Sequence, residues 1–361
     1  MGEENGLVAW CQSTISSSAL REGLLDRLQN RIGFDGGFFA TVDPASLLYT
    51  SGVRRNMPTE ASAAFIRAEF GQPDLNQLRH LARSKSPVGW LDGDTGGRRR
   101  SSLRYREAMQ PFGLGDELRV VLRVDGLSWG LLCLHRAERS PSFTASDAGL
   151  LARLSSHAGE GLRRSVIAEA AIQDWSPDGP GVAVIGAGDE LESVTPAAAR
   201  WLAELGELDI PQGEGLPTVV QAVIDRLGHK IGPDAADSWL PRARVRCPSG
   251  RWLVLHASTL GSPAEPSART VVVIEPASPT VLLPLVVAAY GLTPREAEIA
   301  QRTLVGLARK TIASELRISL HTVNDHLKSI FAKVDVSSVG QLRARIFQDQ
   351  VAAGNHQRAP E

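Results

Sequence analysis

Between Ser319 and Lys328 the chain sets Ser319, His321, Thr322, Asn324, Asp325 and Lys328 among regularly spaced apolar residues. Placed at about 100° per residue, Val323, Leu327, Ile330 and Val334 fall in one narrow arc that must pack inward. His321, Asn324, Asp325 and Lys328 then point the opposite way. Those side chains suit reading of base edges. An Asn amide can pair with adenine N6 and N7, a Lys amine can reach guanine O6 and N7 or a phosphate, and an Asp can accept from cytosine N4. His326, at the edge of the apolar arc, reads as a packed histidine.

No catalytic chemistry competes with this reading. The sequence has no G-x-x-x-x-G-K-[ST], H-E-x-x-H or G-x-S-x-G, so nothing motivates nucleotide hydrolysis, zinc proteolysis or hydrolase chemistry. Cys11, Cys133 and Cys247 form no C-x-x-C pair, and Cys133 lies in an apolar run that predicts an inert buried thiol. Asp92-x-Asp94-x-Gly96 starts like a calcium loop but has Leu103 where the closing Glu belongs. Gly186-Ala187-Gly188 lacks the third glycine of a dinucleotide loop and reads as a turn. The run Arg98-Arg99-Arg100, with Arg104 and Arg106, reads as a solvated loop, and the tryptophans (among them Trp175 and Trp239) as core or pocket rim. No metal and no cofactor is indicated.

The polar face needs a small helical scaffold, and residues 291–350 supply one. Thr293-Pro294-Arg295-Glu296 is a capping box with proline at the first helical position. A short helix over 309–316, a tight turn at Arg317-Ile318, a helix capped by Ser319 and running to Val334, and a fourth capped by Ser338-x-x-Gln341 follow. Leu292-Thr-Pro-Arg-Glu296, Ile312-Ala313-x-x-Leu316-x-Ile318-Ser319, Thr322-Val323 and His326-Leu327-x-x-Ile330-Phe331-x-Lys333-Val334-x-Val336 resemble the LuxR-type helix-turn-helix across essentially its full length. The resemblance implies that helix 319–334 enters the major groove and that Lys310, Thr322 and Lys333 lie where relatives touch the DNA backbone. The expected DNA-binding set is therefore Lys310, Ser319, His321, Thr322, Asn324, Asp325, Lys328 and Lys333. Two departures stand out. Asn324 stands where many relatives have Lys or Arg and Asp325 follows it, so Asp325 must either accept from cytosine N4 or be held by Lys328, and Ala308 sits where relatives often have a Ser cap.

Residues 291–350 carry nine Lys and Arg against six Asp and Glu, +3 within a chain whose net charge is −1. So small an excess predicts weak binding by one module and a homodimer on paired half-sites.

The 361 residues predict two or three domains. Over 1–172, Leu118, Val120, Leu122 and Val124 alternate with Arg119, Val121 and Arg123, predicting a strand with one buried face. Asp125-Gly126 turns it into the strand Trp129–His135, and Thr144 with Asp147 caps a long helix striped by Leu150, Leu151, Leu154, Ala158, Leu162 and Val166, whose far end is expected at a dimer seam. Glu117–Gly126, Trp129–Leu132 and Ser142–Asp147 resemble the final hairpin and helix of a GAF domain, and a first helix near 19–32 and a hairpin near 37–53 fit it loosely. Residues 174–279, bounded by the Pro- and Gly-rich runs 176–181 and 261–267, read as two strands, two helices and three strands, which resembles a PAS-like sensor, with Pro196–Leu202 as its first helix. The apolar run 280–290 reads as a linker and 351–361 as a flexible tail.

The fold class is thus α+β and multidomain: an N-terminal GAF-like α/β sandwich, a central PAS-like domain and a C-terminal all-α helix-turn-helix bundle. With an acidic start and no apolar stretch near the ~20 residues a span requires, a cytoplasmic chain without membrane contact is expected. The implied function is a non-enzymatic transcriptional regulator binding double-stranded DNA, controlled by a small-molecule ligand or partner at the sensor domains, with RNA polymerase as a further contact. The reading from another class is a protein–protein interaction or signalling adaptor.

Overall fold

The computed structural model describes residues 2–13, 16–170, 179–186, 189–206, 216–227, 242–260 and 269–347. The first part opens with helices α1 (Gly2–Gln12) and α2 (Ser17–Arg31), and Ser16 caps α2 by accepting from the Ala19 N–H. Strands β1 (Gly36–Val42) and β2 (Tyr49–Arg55) follow, then short helices α3 (Ser62–Ile66) and α4 (Leu78–Leu81), strand β3 (Val88–Trp90), helix α5 (Leu91–Thr95), and the long hairpin β4 (Leu114–Val124) and β5 (Leu127–Ala137). Asp125 and Gly126 both take positive φ (51° and 78°). That conformation gives the two-residue turn the twist that the hairpin needs. The sheet is antiparallel with order β2-β1-β5-β4-β3. The 26-residue helix α6 (Ala145–Ala170) closes this part. Thr144 and Asp147 form the expected reciprocal cap at its start.

One expectation fails instructively. Strand β4 is buried on both faces through Leu122, not on one. Leu118, Val120 and Leu122 face one way, and the apolar stripes of α2 (Leu20, Leu24, Leu28) and α6 (Leu151, Leu154, Ala158) are buried with them. The other face carries Glu117, Arg119 and Val121, and Arg119 Nη2 meets the Glu69 carboxylate in the interior at 2.5 Å. Arg104, expected in a solvated loop, is 1% exposed and bonds Glu117 at 2.8 Å, while Arg99 pairs with Asp92. A guanidinium is buried only where a carboxylate meets it, and the sequence pattern does not reveal the distant partner.

A second antiparallel sheet has the order β7-β6-β10-β9-β8. Its elements are β6 (Gly181–Ile185), β7 (Leu191–Val194), α7 (Pro196–Gly206), α8 (Thr218–Leu227), β8 (Arg242–Arg246), β9 (Trp252–Leu260) and β10 (Arg269–Pro276). Residues 176–178 of the first bounding run, all of the second run 261–267, Ala187 and Gly188, and Trp175 and Trp239 lie outside the described residues, as does the tail. The two sheets are not separate bodies. Met1–Leu162 and Pro177–Pro276 form one compact unit, and a single core joins Val121, Leu131 and Cys133 of the first sheet to Ile185, Trp201, Val220 and Leu255 of the second part. Arg226 of α8 donates to the Ser46 carbonyl, and Arg244 of β8 meets Asp43 at 3.1 Å.

The second unit comprises Arg163–Ser176 with Ala277–Glu361. Its helices are α9 (Pro279–Ala289), α10 (Pro294–Leu304), α11 (Arg309–Glu315), α12 (Leu320–Val334) and α13 (Val339–Phe347). Residues 280–290, expected as a linker, are helix α9. Its Leu283, Val286 and Val287 join the core formed by Ile299, Ile312, Leu327 and Leu342. A helix apolar all round has no period to find, and Pro284 looks like a break, yet burial of several large side chains at about 1.5–3 kcal/mol each outweighs the one lost hydrogen bond. Within this unit the Arg163 guanidinium donates to the Ala289 carbonyl at the end of α9, where a cation complements the helix dipole.

Candidate nucleic-acid interface

Helix α12 starts where the sequence places it. The Ser319 hydroxyl accepts from the Thr322 N–H at 3.0 Å, and Val323, Leu327, Ile330 and Val334 are all buried. The turn before it is a Schellman motif: Arg317 adopts the left-handed conformation (φ 53°), its N–H donates to the Ser314 carbonyl, and the Ile318 N–H donates to that of Ala313. This pairing ends α11 and sets the angle at which α12 leaves. Arg295 of α10 locks the same corner, donating to the Leu316 carbonyl at 2.6 Å.

Glu296 fixes α12 lengthwise. Only 4% exposed, it accepts from the Thr293 N–H at 2.7 Å, completing the expected capping box, and also from Ser329 Oγ (2.6 Å) and Lys333 Nζ (2.7 Å) on α12. Burial alone would raise its pKa; the bonds from Lys333, Ser329 and Thr293 overcome this and hold the carboxyl down at about 2. Lys333 thus meets a carboxylate inside the domain, where the resemblance placed it on the DNA backbone.

The outward face of α12 gathers the remaining residues. Lys328, its side chain 78% exposed, lies 3.4 Å from Asp325, whose other oxygen is 3.2 Å from His321 Nε2. The carboxylate lies beside Lys328, one of the two roles the sequence left open for it, and beside His321 as well. Asn324 is half-buried and its Oδ1 accepts from Arg309 Nη1 at 3.0 Å. That bond leaves the Asn324 NH2 group as a donor and orients the amide. Arg309 is the residue that sequence reasoning passed over. Its signal was its place at the first turn of α11, where an exposed guanidinium can reach across to the next helix. Lys310 is exposed, with no side-chain partner among the described residues, and His326 is half-buried beside the apolar stripe. Ala308 occupies the cap position of α11 without a side-chain bond. Arg309 of α11 and Asn324 of α12 thus link the two helices by one hydrogen bond, and Lys310, His321 and Lys328 are exposed.

Comparison with known families gives two matches. Residues 291–344 match the model described as bacterial regulatory proteins, luxR family, and residues 22–162 match that of the GAF domain. No curated protein matches. Among solved structures, the chain is similar to the Vibrio cholerae VqmA dimer, a LuxR-type receptor without its target DNA, at 14% identity over 48% of this chain and 84% of that one, TM-score 0.20. A phage VqmA–DPO complex gives 16% identity over 55% and 92%, TM-score 0.18. The E. coli DhaR(N)–DhaL complex gives 13% over 76% and 87%, TM-score 0.25. These TM-scores are too low to bear on the arrangement of this chain.

Proposed function

Since the chain carries a GAF sensor domain over 22–162 and a LuxR-type DNA-binding domain over 291–344, we propose that it is a transcriptional regulator whose α12 lies in the major groove. In this reading Asn324 and Lys328 contact base edges, His321 and Asp325 tune them, and Lys310, Ser319 and Thr322 contact the backbone, with Arg309 added. Lys333 acts through Glu296 by holding α12 against α10. The observation that carries the assignment is the outward face of α12, with Lys328 exposed and Asn324 oriented by Arg309, on a helix whose opposite side is wholly buried.

The second sheet is read as a PAS-like domain, supported by its strand order and by helices inserted between its strands. A ligand or partner at the sensor part biases two arrangements that differ in affinity for it, which is the requirement for control. The small positive excess of 291–350 makes a homodimer on two half-sites the working form. RNA polymerase is the partner an activator at such a site would meet, and a cytoplasmic location fits a chain in which no described helix is long and apolar enough to cross a membrane. The adaptor reading is not favoured, because a groove-facing polar surface has no use in it.

The test is fluorescence anisotropy of the full chain on a pooled duplex library across a salt series. Binding that weakens linearly in log K against log salt, with a few phosphates per subunit, is the expected outcome. Absence of binding at low salt overturns the assignment.

A further inference from the structure

The last turn of an α-helix leaves carbonyls that the helix itself cannot satisfy. At the end of α9 the Tyr290 N–H donates to the Val286 carbonyl and the Gly291 N–H to that of Ala288, with Gly291 at φ 67°. The carbonyls of Ala289 and Gly291 are met instead by side chains from two other helices. Arg163 of α6 donates to Ala289, and Lys333 of α12 donates to Gly291 at 3.2 Å while its Nζ also meets Glu296 at 2.7 Å. A Cβ built on Gly291 would lie 3.5 Å from Arg163 Nη1, so the guanidinium covers the turn as well as its first carbonyl. Guanidinium and ammonium are donors only, so the two cations cannot bond each other. What joins them is the turn Ala289–Gly291.

The two cations come from opposite ends of the molecule's logic. Helix α6 runs unbroken over Ala145–Ala170, about 39 Å, and the boundary between the two units falls inside it, between Leu162 and Arg163. Its first half is part of the sensor unit, where Leu151, Leu154 and Ala158 are buried. Its second half is packed too, with Ser165 and Glu169 only 3% and 6% exposed. The helix that receives Arg163 has little slack. Leu283, Val286 and Val287 of α9 lie in the core of the C-terminal unit, Leu282, Leu285 and Ala289 are buried as well, and Leu292, directly after the turn, joins the same core. A shift at Ala289 is therefore passed to Gly291, and from there to Lys333 in the last turn of α12 and to Glu296 in the first turn of α10.

We propose that the turn Ala289–Gly291 is a relay, through which α6 sets the position of α12 by way of Arg163 on one side and Lys333 on the other. Arg163 is a positioning residue that touches no DNA. The relay deepens the regulator reading and rests on it for its purpose: the sensor unit acts on the proposed groove-reading helix through one unbroken helix and one three-residue turn. A cation at a helix C-terminus is also what simple capping would use, so the test must separate a cap from a relay.

The experiment uses the full chain, hydrogen exchange read by mass spectrometry, and DNA anisotropy across a salt series. Arg163→Met removes the charge and keeps an unbranched side chain; if it loses the parental circular dichroism, Arg163→Gln takes its place. Exchange should quicken at least about threefold in peptides covering the last turn of α12 as well as in those covering 286–291. DNA affinity should fall about three- to tenfold with the slope of log K against log salt unchanged, since loss of a phosphate contact would lower that slope by about one. Arg163→Lys, which restores a cation, should recover both exchange and affinity. Quickened exchange confined to the end of α9 would reduce Arg163 to a cap and overturn the proposal, as would a shallower salt slope or a loss that Arg163→Lys does not recover. The exchange arm needs no DNA, which keeps the two readings apart: a parent chain that binds no DNA removes the regulator reading while exchange still judges the relay, and unchanged α12 exchange in a chain that binds DNA removes the relay alone.

Discussion

Asp325 puts a negative charge on the surface that the proposed function turns toward a polyanion, and its two neighbours resolve the conflict. Lys328 and His321 lie on either side of its carboxylate, so the cluster presents a dipolar patch rather than a bare anion. All three groups are well exposed, so the pairing is worth little stability and can be exchanged for DNA contacts. Lys328→Ala should therefore weaken specific binding by about 1–3 kcal/mol, roughly five- to 150-fold, without lowering the unfolding midpoint; Asn324→Ala should do the same and relax preference at one base position. Anisotropy on specific and scrambled duplexes reads both effects, and parental binding by both variants would refute the groove assignment. At this scale the sequence was informative. The outward set followed from helical spacing alone, whereas the inward turn of Lys333 toward Glu296 did not, because it depends on how α10 and α12 cross.

Helix α11 is the weakest of the C-terminal elements by its own chemistry. It is seven residues long, and its cap position holds Ala308 with no side-chain bond. Ala308→Ser supplies the missing acceptor and should stabilise the domain by about 0.5–1 kcal/mol in urea unfolding, with DNA affinity equal or higher. A destabilised variant would mean that the α11 entry geometry excludes a capped conformation. Helices α10, α12 and α13 were all legible from their caps, since a cap is a local event within four residues. Helix α9 was not legible: an apolar run without period has no polar side to mark it, and only packing against α10 and α13 makes a helix of it. Strand β4 erred the other way. Its alternation was real, but the charged face turned inward to meet Glu69, fifty positions away in sequence.

Across the whole molecule, acid stability separates the two units. His135, in the sensor unit, is pushed down to about 4 by burial, with Arg104 and Arg119 reinforcing and Glu117 opposing. The unfolded chain takes up the proton near the ordinary 6.5, so the contribution of neutral His135 is complete above that value and is lost as pH falls toward 4. The loss is at most about 3 kcal/mol. In the C-terminal unit, Glu296 keeps its contribution until pH falls below the ordinary 4.5 and loses it toward 2. Urea unfolding from pH 7 to 4 should therefore weaken the sensor unit first, and His135→Leu should flatten that slope; a slope unchanged by the substitution would remove His135 as its cause.

The amino-acid sequence by itself determined the helix-turn-helix, its caps, the hairpin at Asp125-Gly126 and the outward face of α12. Each depends on residues within a few turns of one another, where spacing and side-chain type fix the backbone. Only the tertiary structure decided that the two sheets share one core, that α9 belongs to the C-terminal unit, and that Arg104, Arg119 and His135 meet around Glu117. Those outcomes arise from burial of charge and apolar area between segments far apart in the chain, and burial is a property of the packed whole that no local pattern contains.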